Sequence, residues 1–400
     1  MSGGTAVLAY SGGLDTSVTI RWLGEQGYDV HAVAVDVGQR EDFAQVVARG
    51  EQAGAASVRV VDAVERFADE VLTRAIRTNA LYEGKYPMVS GLARPLIADE
   101  VVRVAREVGA STLAHGCTGK GNDQVRFELS FAVLAPDLAV VAPIRDAGIP
   151  REKALALAAE WGIAISEVAT VYSVDENLWG RTAECGPLED PWVAPPEDAF
   201  ERTAAPADRP SAPAEVVLSF VQGVPVALDG EDLRLAELIR RLDALGGAYG
   251  FGRVDMIENR RVGIKSRELY EVPGALAIIR AHQALEDLTL ERDLAHHKPQ
   301  LGQRWADLVY DGQWFSPLRA AIDAYVDATQ AFVSGEVRLR FEPGACTVVG
   351  ARSPYSLYDL SLATYGAEDA FDQSDSRGYV TLAGLPLRVW AATQGAASER

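Results

Sequence analysis

From residue 6 to about 162 the chain alternates between two hydrophobic periods. Short apolar runs at 6–10, 30–35, 58–62, 112–115 and 138–143 have strand length. Between them, Phe43, Val46 and Val47, then Val64, Phe67, Val71, Leu72 and Ala75, recur at helical spacing, as do apolar positions across 92–108 and 125–134. Strands that alternate with helices predict a doubly wound α/β domain: a parallel sheet with helices on both faces. Its ligand crevice should lie outside the carboxyl ends of the strands. Residues 185–215 are rich in Pro, Ala, Glu and Asp and predict an extended connector, not a core segment. Beyond it come a strand–turn pattern over 216–228, a helix over 231–245 and strands at 253–257 and 262–265. Helices over 274–294 and 317–332 and strands at 336–341 and 346–351 complete an α+β domain. From about 379 onward Leu385, Leu387, Val389 and Trp390 are too few to build a core and need cover, from the chain itself or from a neighbouring subunit.

Composition narrows the class. The 400 residues are 48% hydrophobic and 24% charged, enough for two domains with sizeable cores. No apolar run approaches the ~20 residues of a membrane span, and the first residues lack a secretory pattern, so a cytoplasmic location is expected. Cys117, Cys185 and Cys346 are few and widely spaced, which suits a reducing compartment and makes no zinc pattern. A net charge of −19 argues against a nucleic-acid partner, so any anionic ligand must be held by a local site.

The first such site is Ala9-Tyr10-Ser11-Gly12-Gly13-Leu14-Asp15-Thr16-Ser17. A strand ends in a hydroxyl and two glycines and runs into a helix, which brings backbone N–H groups and a positive helix end toward an anion. Ser11, Thr16 and Ser17 add hydroxyls, one of them capping the helix. No Gly-Lys-Ser/Thr follows, so the loop is not a Walker A motif. The second stretch runs from His115 to Glu128, with three glycines in six residues (Gly116, Gly119, Gly121) after a strand end and Asn122 or Asp123 as a helix cap. Arg126 lies one turn beyond Asn122 on the same side. The third is residues 86–96, where Tyr86 sits in a loop and Ser90 is a natural N-cap. The fourth, 172–182, is a polar turn that holds Ser173 and Thr182. The fifth, 252–271, is dense in Arg, Lys and Glu and includes Glu258 and Tyr270; by composition alone it reads as a salt-bridged surface. The five histidines show no metal-ligand spacing, and Cys117 has no base beside it in sequence, which makes it a small filler.

Ser11-Gly12-Gly13-Leu14-Asp15 resembles the pyrophosphate loop of the ATP pyrophosphatases, and the five stretches together resemble the argininosuccinate synthases. The resemblance implies ATP as substrate with Mg²⁺, no tightly bound organic cofactor, and L-citrulline and L-aspartate as the other substrates. It gives ATP the residues Ala9, Tyr10, Ser11, Gly12, Gly13, Leu14, Asp15, Thr16, Ser17 and Gly116. Thr118, Asn122 and Asp123 go to aspartate. Tyr86, Ser90, Asn122, Arg126, Ser173, Thr182, Glu258 and Tyr270 go to citrulline. Ser11 and Asp15 are the catalytic candidates, with Asp15 orienting either Mg²⁺ or the loop. Family members usually carry serine in place of Thr182, and some carry it in place of Gly91. The implied organisation is a nucleotide-binding domain at 1–165, a synthetase domain at 166–375 and an oligomerisation tail at 376–400 in a homotetramer. An amidotransferase or a tRNA thiolase with the same loop would need a Cys/His glutaminase region or a Cys pair, and neither is present. A nucleotide-responsive regulatory protein that has lost turnover is the alternative from another class.

Overall fold

The computed structural model describes residues 3–163, 171–366 and 368–395, so the domain boundary expected at 165/166 lies outside the described residues. The chain forms two compact units, Met1–Tyr355 and Ser356–Arg400. In the first unit, β1 (Thr5–Ala9), β2 (Asp29–Asp36), β3 (Ser57–Asp62), β4 (Thr112–His115) and β5 (Ala139–Val141) form one parallel sheet in the order β3-β2-β1-β4-β5. The order reverses between β1 and β4. Chain leaving these two neighbours departs in opposite directions and opens a crevice at their carboxyl ends. The central strands are buried on both faces, as near-continuous apolar runs require: Ala6, Val7, Leu8, Leu113 and Ala114 are fully buried.

The rest of the unit is antiparallel. In chain order its strands are β6 (Ser173–Asn177), β7 (Gly180–Glu184), β8 (Ala214–Val221), β9 (Val224–Leu228), β10 (Glu231–Asp232), β11 (Arg253–Asn259), β12 (Lys265–Glu271), β13 (Gly335–Glu342) and β14 (Ala345–Arg352). They make a four-stranded sheet β11-β12-β7-β6 and a five-stranded sheet β10-β9-β8-β13-β14.

Several elements differ from the sequence expectation. The helix expected from residue 231 begins at Leu235, because Gly230 turns the chain at φ +80° and Glu231–Asp232 pairs back on β9. Of the strand expected at 262–265 only Lys265 is strand, opening β12; residues 262–264 are the turn of the β11–β12 hairpin, with Gly263 at φ +93° and Arg260 N–H bonded to Ile264 O at 2.9 Å. The long helix expected over 274–294 stops at Thr289. Leu290 is extended, and Glu291 caps a second helix, Arg292–Tyr310, by accepting from Asp293 and Leu294 N–H. That helix was hidden by Pro299, a breaker by propensity that it nonetheless carries. The proline-rich connector is extended but also packed. Leu188 and Ala199 are fully buried against Tyr172, Ala183 and Leu269, and the buried Glu271 carboxylate accepts from the N–H groups of Glu201, Arg202 and Thr203. One face of the four-stranded sheet needed a cover, and the connector supplies it.

The second unit holds the helices Leu360–Ala363, Ser376–Ala383 and Leu385–Thr393, and among its residues Tyr379, Leu382, Leu387 and Trp390 are exposed. No helix among the described residues is long and apolar enough to cross a membrane.

Candidate active site

The five stretches singled out in the sequence close into a ring at the β1/β4 switch point. The first loop leaves β1 with Gly12 at φ +76° and enters the helix Leu14–Glu25. Its expected hydroxyl cap is absent: Gly13 holds the N-cap position, and Ser11 Oγ accepts from Gly13 N–H at 3.3 Å while lying 3.2 Å from Thr16 Oγ1. Ser11 and Gly13 are exposed, and Asp15 and Thr16 half-buried. Ala9, Tyr10, Leu14 and Ser17 are buried beneath the loop, where the Tyr10 hydroxyl donates to Val46 O at 3.2 Å. Ser17 N–H makes the first helical bond, to Gly13 O, which leaves the N–H groups of Leu14, Asp15 and Thr16 without an intrahelical acceptor and available to an anion, Gly13 N–H being held by Ser11. Burial raises the Asp15 carboxyl above its ordinary value, and the Arg151 charge opposes this.

Gly116 joins the second loop to the first. A Cβ there would lie 2.9 Å from Thr16 Cγ2 and 3.1 Å from the Asp15 carbonyl carbon, so only glycine allows this approach. Gly116→Ala is therefore expected to separate the two loops, costing about 1–3 kcal/mol as overpacking does and raising the KM for ATP more than tenfold. Thermal melting and ATP titration check this; unchanged values in both would mean that the loops need not touch.

Asn122 stands at the N-cap of the helix Asp123–Leu134 but does not cap it. Its carboxamide oxygen accepts from Arg261 N–H, at 2.9 Å, on the far hairpin. Asp123 does not cap either, because two guanidiniums claim its carboxylate: Arg126 at 2.7 Å and Arg94 at 2.9 Å. Burial would raise the Asp123 carboxyl, and the Arg94 and Arg126 charges overcome it, holding it at about 2. Arg126 is further fixed by Tyr310 O at 3.0 Å and by the Tyr310 ring, 5.0 Å away. Thr118 is exposed. Burial pushes the Cys117 thiol up, which disfavours a thiolate there.

Ser90 also departs from the expected capping role. The helix Val89–Val108 starts after Met88, and Ser90, inside its first turn, donates to Asp175. Arg94, one turn further on the same face, donates to Asp175 at 2.7 Å as well as to Asp123. Gly91 faces Arg126, and a Cβ there would sit 3.6 Å from its guanidinium, an ordinary contact. Gly91→Ser should accordingly be tolerated, with stability raised by a few tenths of a kcal/mol from helix propensity and no rise in the citrulline KM; calorimetric melting and steady-state kinetics would register a clash if one exists.

The remaining groups come from one face of the four-stranded sheet. Alternation along a strand places Glu258 on β11; Ser266, Glu268 and Tyr270 on β12; Thr182 and Glu184 on β7; and Ser173 and Asp175 on β6. Pairing sets Thr182 beside both Tyr270 and Asp175, Glu258 beside Ser266, and Ser173 beside Glu184. The hydroxyls of Ser173 and Thr182 have no side-chain partner among the described residues. Tyr270 stacks on Tyr86 with centroids 3.7 Å apart, joining the third stretch to the fifth. Its hydroxyl lies 2.8 Å from Glu258 and 2.9 Å from Glu268, while Tyr310 donates to Glu258 at 2.7 Å. A phenol has one proton to give, so two bare carboxylates cannot both be satisfied here. Burial, then the Glu268 charge, raises Glu258 to about 8, and the same causes raise Glu184 to about 7 although Arg260 bonds it. Arg260 bonds Glu184 and, at 2.7 Å, Glu268, but comes no nearer than 4.0 Å to Glu258, so three carboxylates share one guanidinium and the pocket is suited to an added ammonium group.

Sequence reasoning did not single out Arg94, Asp175, Arg260, Glu268 or Tyr310. Glu268 and Arg260 could have been found by period two from Tyr270 and Glu258, and Arg94 by its helical spacing from Ser90. Tyr310 had no local signal. Among the described residues no group of three or more His, Cys, Asp or Glu could hold a metal ion.

Residues 5–164 match the family model of the arginosuccinate synthase N-terminal HUP domain, and residues 172–390 match that of the arginosuccinate synthase C-terminal domain. The chain is 52% identical over 384 residues to an argininosuccinate synthase of Geobacillus kaustophilus (strain HTA426), spanning 96% of this chain and 95% of that one. It is 51% identical over 392 residues to that of Lactiplantibacillus plantarum, spanning 98% and 95%. For Bacillus subtilis (strain 168) the identity is 50% over 384 residues, spanning 96% and 95%. With both family domains matched in order and half of all positions identical across nearly the full length, the chain belongs to the argininosuccinate synthase family of ligases.

Proposed function

We propose that the ring at the β1/β4 switch point carries out the family reaction, ATP + L-citrulline + L-aspartate → argininosuccinate + AMP + diphosphate, with the sequence-derived residues in the roles the family resemblance gives them. The observation that carries this reading is the contact of Gly116 on the first turn after Ser11-Gly12-Gly13, with the free hydroxyls and the acidic pocket at the other end of the same ring. The loop N–H groups and the Ser11 and Thr16 hydroxyls hold the triphosphate. The citrulline carboxylate meets Arg126, the Ser173 and Thr182 hydroxyls bind citrulline, and its ammonium enters among Glu258 and the tyrosines Tyr86 and Tyr270. Aspartate lies against Thr118, Asn122 and Asp123.

Chemistry follows from orientation. The ureido oxygen attacks the α-phosphorus and diphosphate leaves; the aspartate amine, entering as the free base, then attacks the ureido carbon and AMP leaves. The protein supplies placement and charge stabilisation, not a covalent step of its own. Mg²⁺ suits this donor set as an ion carried by nucleotide phosphates with one protein carboxylate, and Asp15 would hold it. Such an ion would neutralise phosphate charge, and Asp15 would keep the loop in register with it.

The same reading makes 1–165 the nucleotide-binding domain, which also carries the aspartate residues and Tyr86, Ser90, Asn122 and Arg126 for citrulline. The synthetase domain, 166–375, adds Ser173, Thr182, Glu258 and Tyr270, and 376–400 serves assembly. The exposed Tyr379, Leu382, Leu387 and Trp390 support cover by further copies in a homotetramer. The charge of −19 and the small-molecule site support a cytoplasmic enzyme with no nucleic-acid partner. The test is sustained diphosphate release from the protein with ATP, Mg²⁺, citrulline and aspartate. Release that needs both amino acids and yields AMP is expected; ADP as product would overturn the reading.

A further inference from the structure

Outside the catalytic ring, a cavity of about 690 Å³ opens between the connector, β11 and the helix Pro273–Thr289. Its lining departs from the character of the whole chain. The net charge is −19, and most arginines sit in ion pairs, yet Lys85, Arg209 and Arg280 meet here with no carboxylate partner among the described residues. The two other charged groups on the wall cancel elsewhere: Arg253 is held by Glu197 at 3.0 Å, and Asp255 by Arg267 at 2.7 Å. Three cations therefore line one cavity with no carboxylate in ion-pair distance among the described residues; Glu197, already paired with Arg253, acts on Arg209 only from further away.

The cations are also held in place. Arg280 donates to Cys346 O at 2.6 Å and lies over the Phe251 ring at 4.8 Å, which fixes its guanidinium plane. Arg209 donates through Nε to Ala204 O at 3.1 Å, and its terminal nitrogens have no acceptor among the described residues. It rests on bare backbone. A Cβ on Gly250 would sit 2.0 Å from Arg209 Nε, and one on Gly344 3.1 Å from Nη1, so glycine at both positions makes the room. Lys85 is exposed and adds a mobile point charge at the mouth.

We propose that this cavity is a second anion site, built for a phosphorylated small molecule no larger than a nucleotide and separate from the pyrophosphate loop. Forked guanidiniums with unused N–H groups match phosphate oxygens, and three charges match a multivalent ester better than a single carboxylate. The volume lies in the range of small-ligand sites. Occupancy has a route to the catalytic ring: Lys85 adjoins Tyr86, and Val254 on the cavity wall pairs with Tyr270 across β11 and β12.

The experiment is calorimetric titration of the full-length protein with inorganic diphosphate, and separately with citrate. Two diphosphate sites per chain are expected, one of which vanishes in the K85Q/R209Q/R280Q variant while turnover and melting temperature persist. Single substitutions R209Q and R280Q should each weaken that site about tenfold, the loss of one charge-assisted hydrogen bond. Citrate should compete weakly or not at all; competition equal to diphosphate would overturn the phosphate assignment. An identical stoichiometry in wild type and triple variant would overturn the site itself. If the pyrophosphate loop binds nothing, wild type shows one site, and its loss in the triple variant still supports the cavity. Should the triple variant unfold, the two single variants decide by the same titration.

Discussion

Asp15→Asn is expected to reduce kcat by about 10²–10³ while leaving the citrulline KM within about threefold, the loss typical of one preorganised charged group at a reacting phosphate. The protein should stay folded. Burial raises the Asp15 carboxyl in the free enzyme, so its charge is a cost to the folded state that asparagine removes. Opposing this is a small loss of favourable charge at a helix N-terminus, about 0.3–1 kcal/mol. A melting temperature within a few degrees of wild type, together with the fall in turnover measured by AMP formation, identifies the role as chemical. Unchanged turnover would remove Asp15 from the mechanism.

The second large effect is at Glu258. Glu258→Gln keeps the shape and an acceptor for Tyr310 but removes the charge proposed to meet the citrulline ammonium. A charge-assisted hydrogen bond in a buried setting is worth about 1.5–3 kcal/mol, so the citrulline KM should rise about 10- to 10²-fold, with a smaller change in kcat. The sign of the pH effect follows from the raised carboxyl. Between the ordinary value of 4.5 and about 8 the folded chain holds more protons than the unfolded one, so this group's stabilisation is full below 4.5 and is lost as pH rises toward 8. An ammonium placed beside Glu258 favours its ionised form. Citrulline binding near pH 7 should therefore release a proton, seen as a binding enthalpy that varies with the buffer's ionisation enthalpy. Glu258→Gln should remove that dependence, and if the variant still released the proton, Glu184, raised to about 7, would be its source.

Strand-to-helix loops announce themselves locally, because glycine, a hydroxyl and a change of period lie within a few positions; residues 9–17 and 115–128 were found for that reason. Local grammar erred where a tertiary partner outbid it. Ser90 and Asn122 each sit at or next to a helix start and have a capping side chain, yet Asp175 and the Arg261 N–H claim them. Asp123 likewise gives its carboxylate to two arginines rather than to its own helix. The dense charges of 252–271 read as solvated surface, and half of that reading fails. Alternation sends Arg267 to the face the connector covers, where it donates to Asp190 O and Val193 O, and Glu258, Glu268 and Tyr270 to the face that lines the ring.

Sequence by itself determined the parallel α/β half, its crevice, the two glycine loops and the family, because each rests on spacing within some twenty residues. Only the tertiary structure decided which charges are partners. Arg94 bridges Asp123 and Asp175, Tyr310 reaches Glu258 across 52 residues, and Glu258 and Glu268 share one phenol. The same holds for the three cations brought together around the second cavity with no carboxylate in ion-pair distance among the described residues. Covalent spacing governs local conformation, whereas an ion's state depends on distance and burial, and those exist only once remote segments have packed.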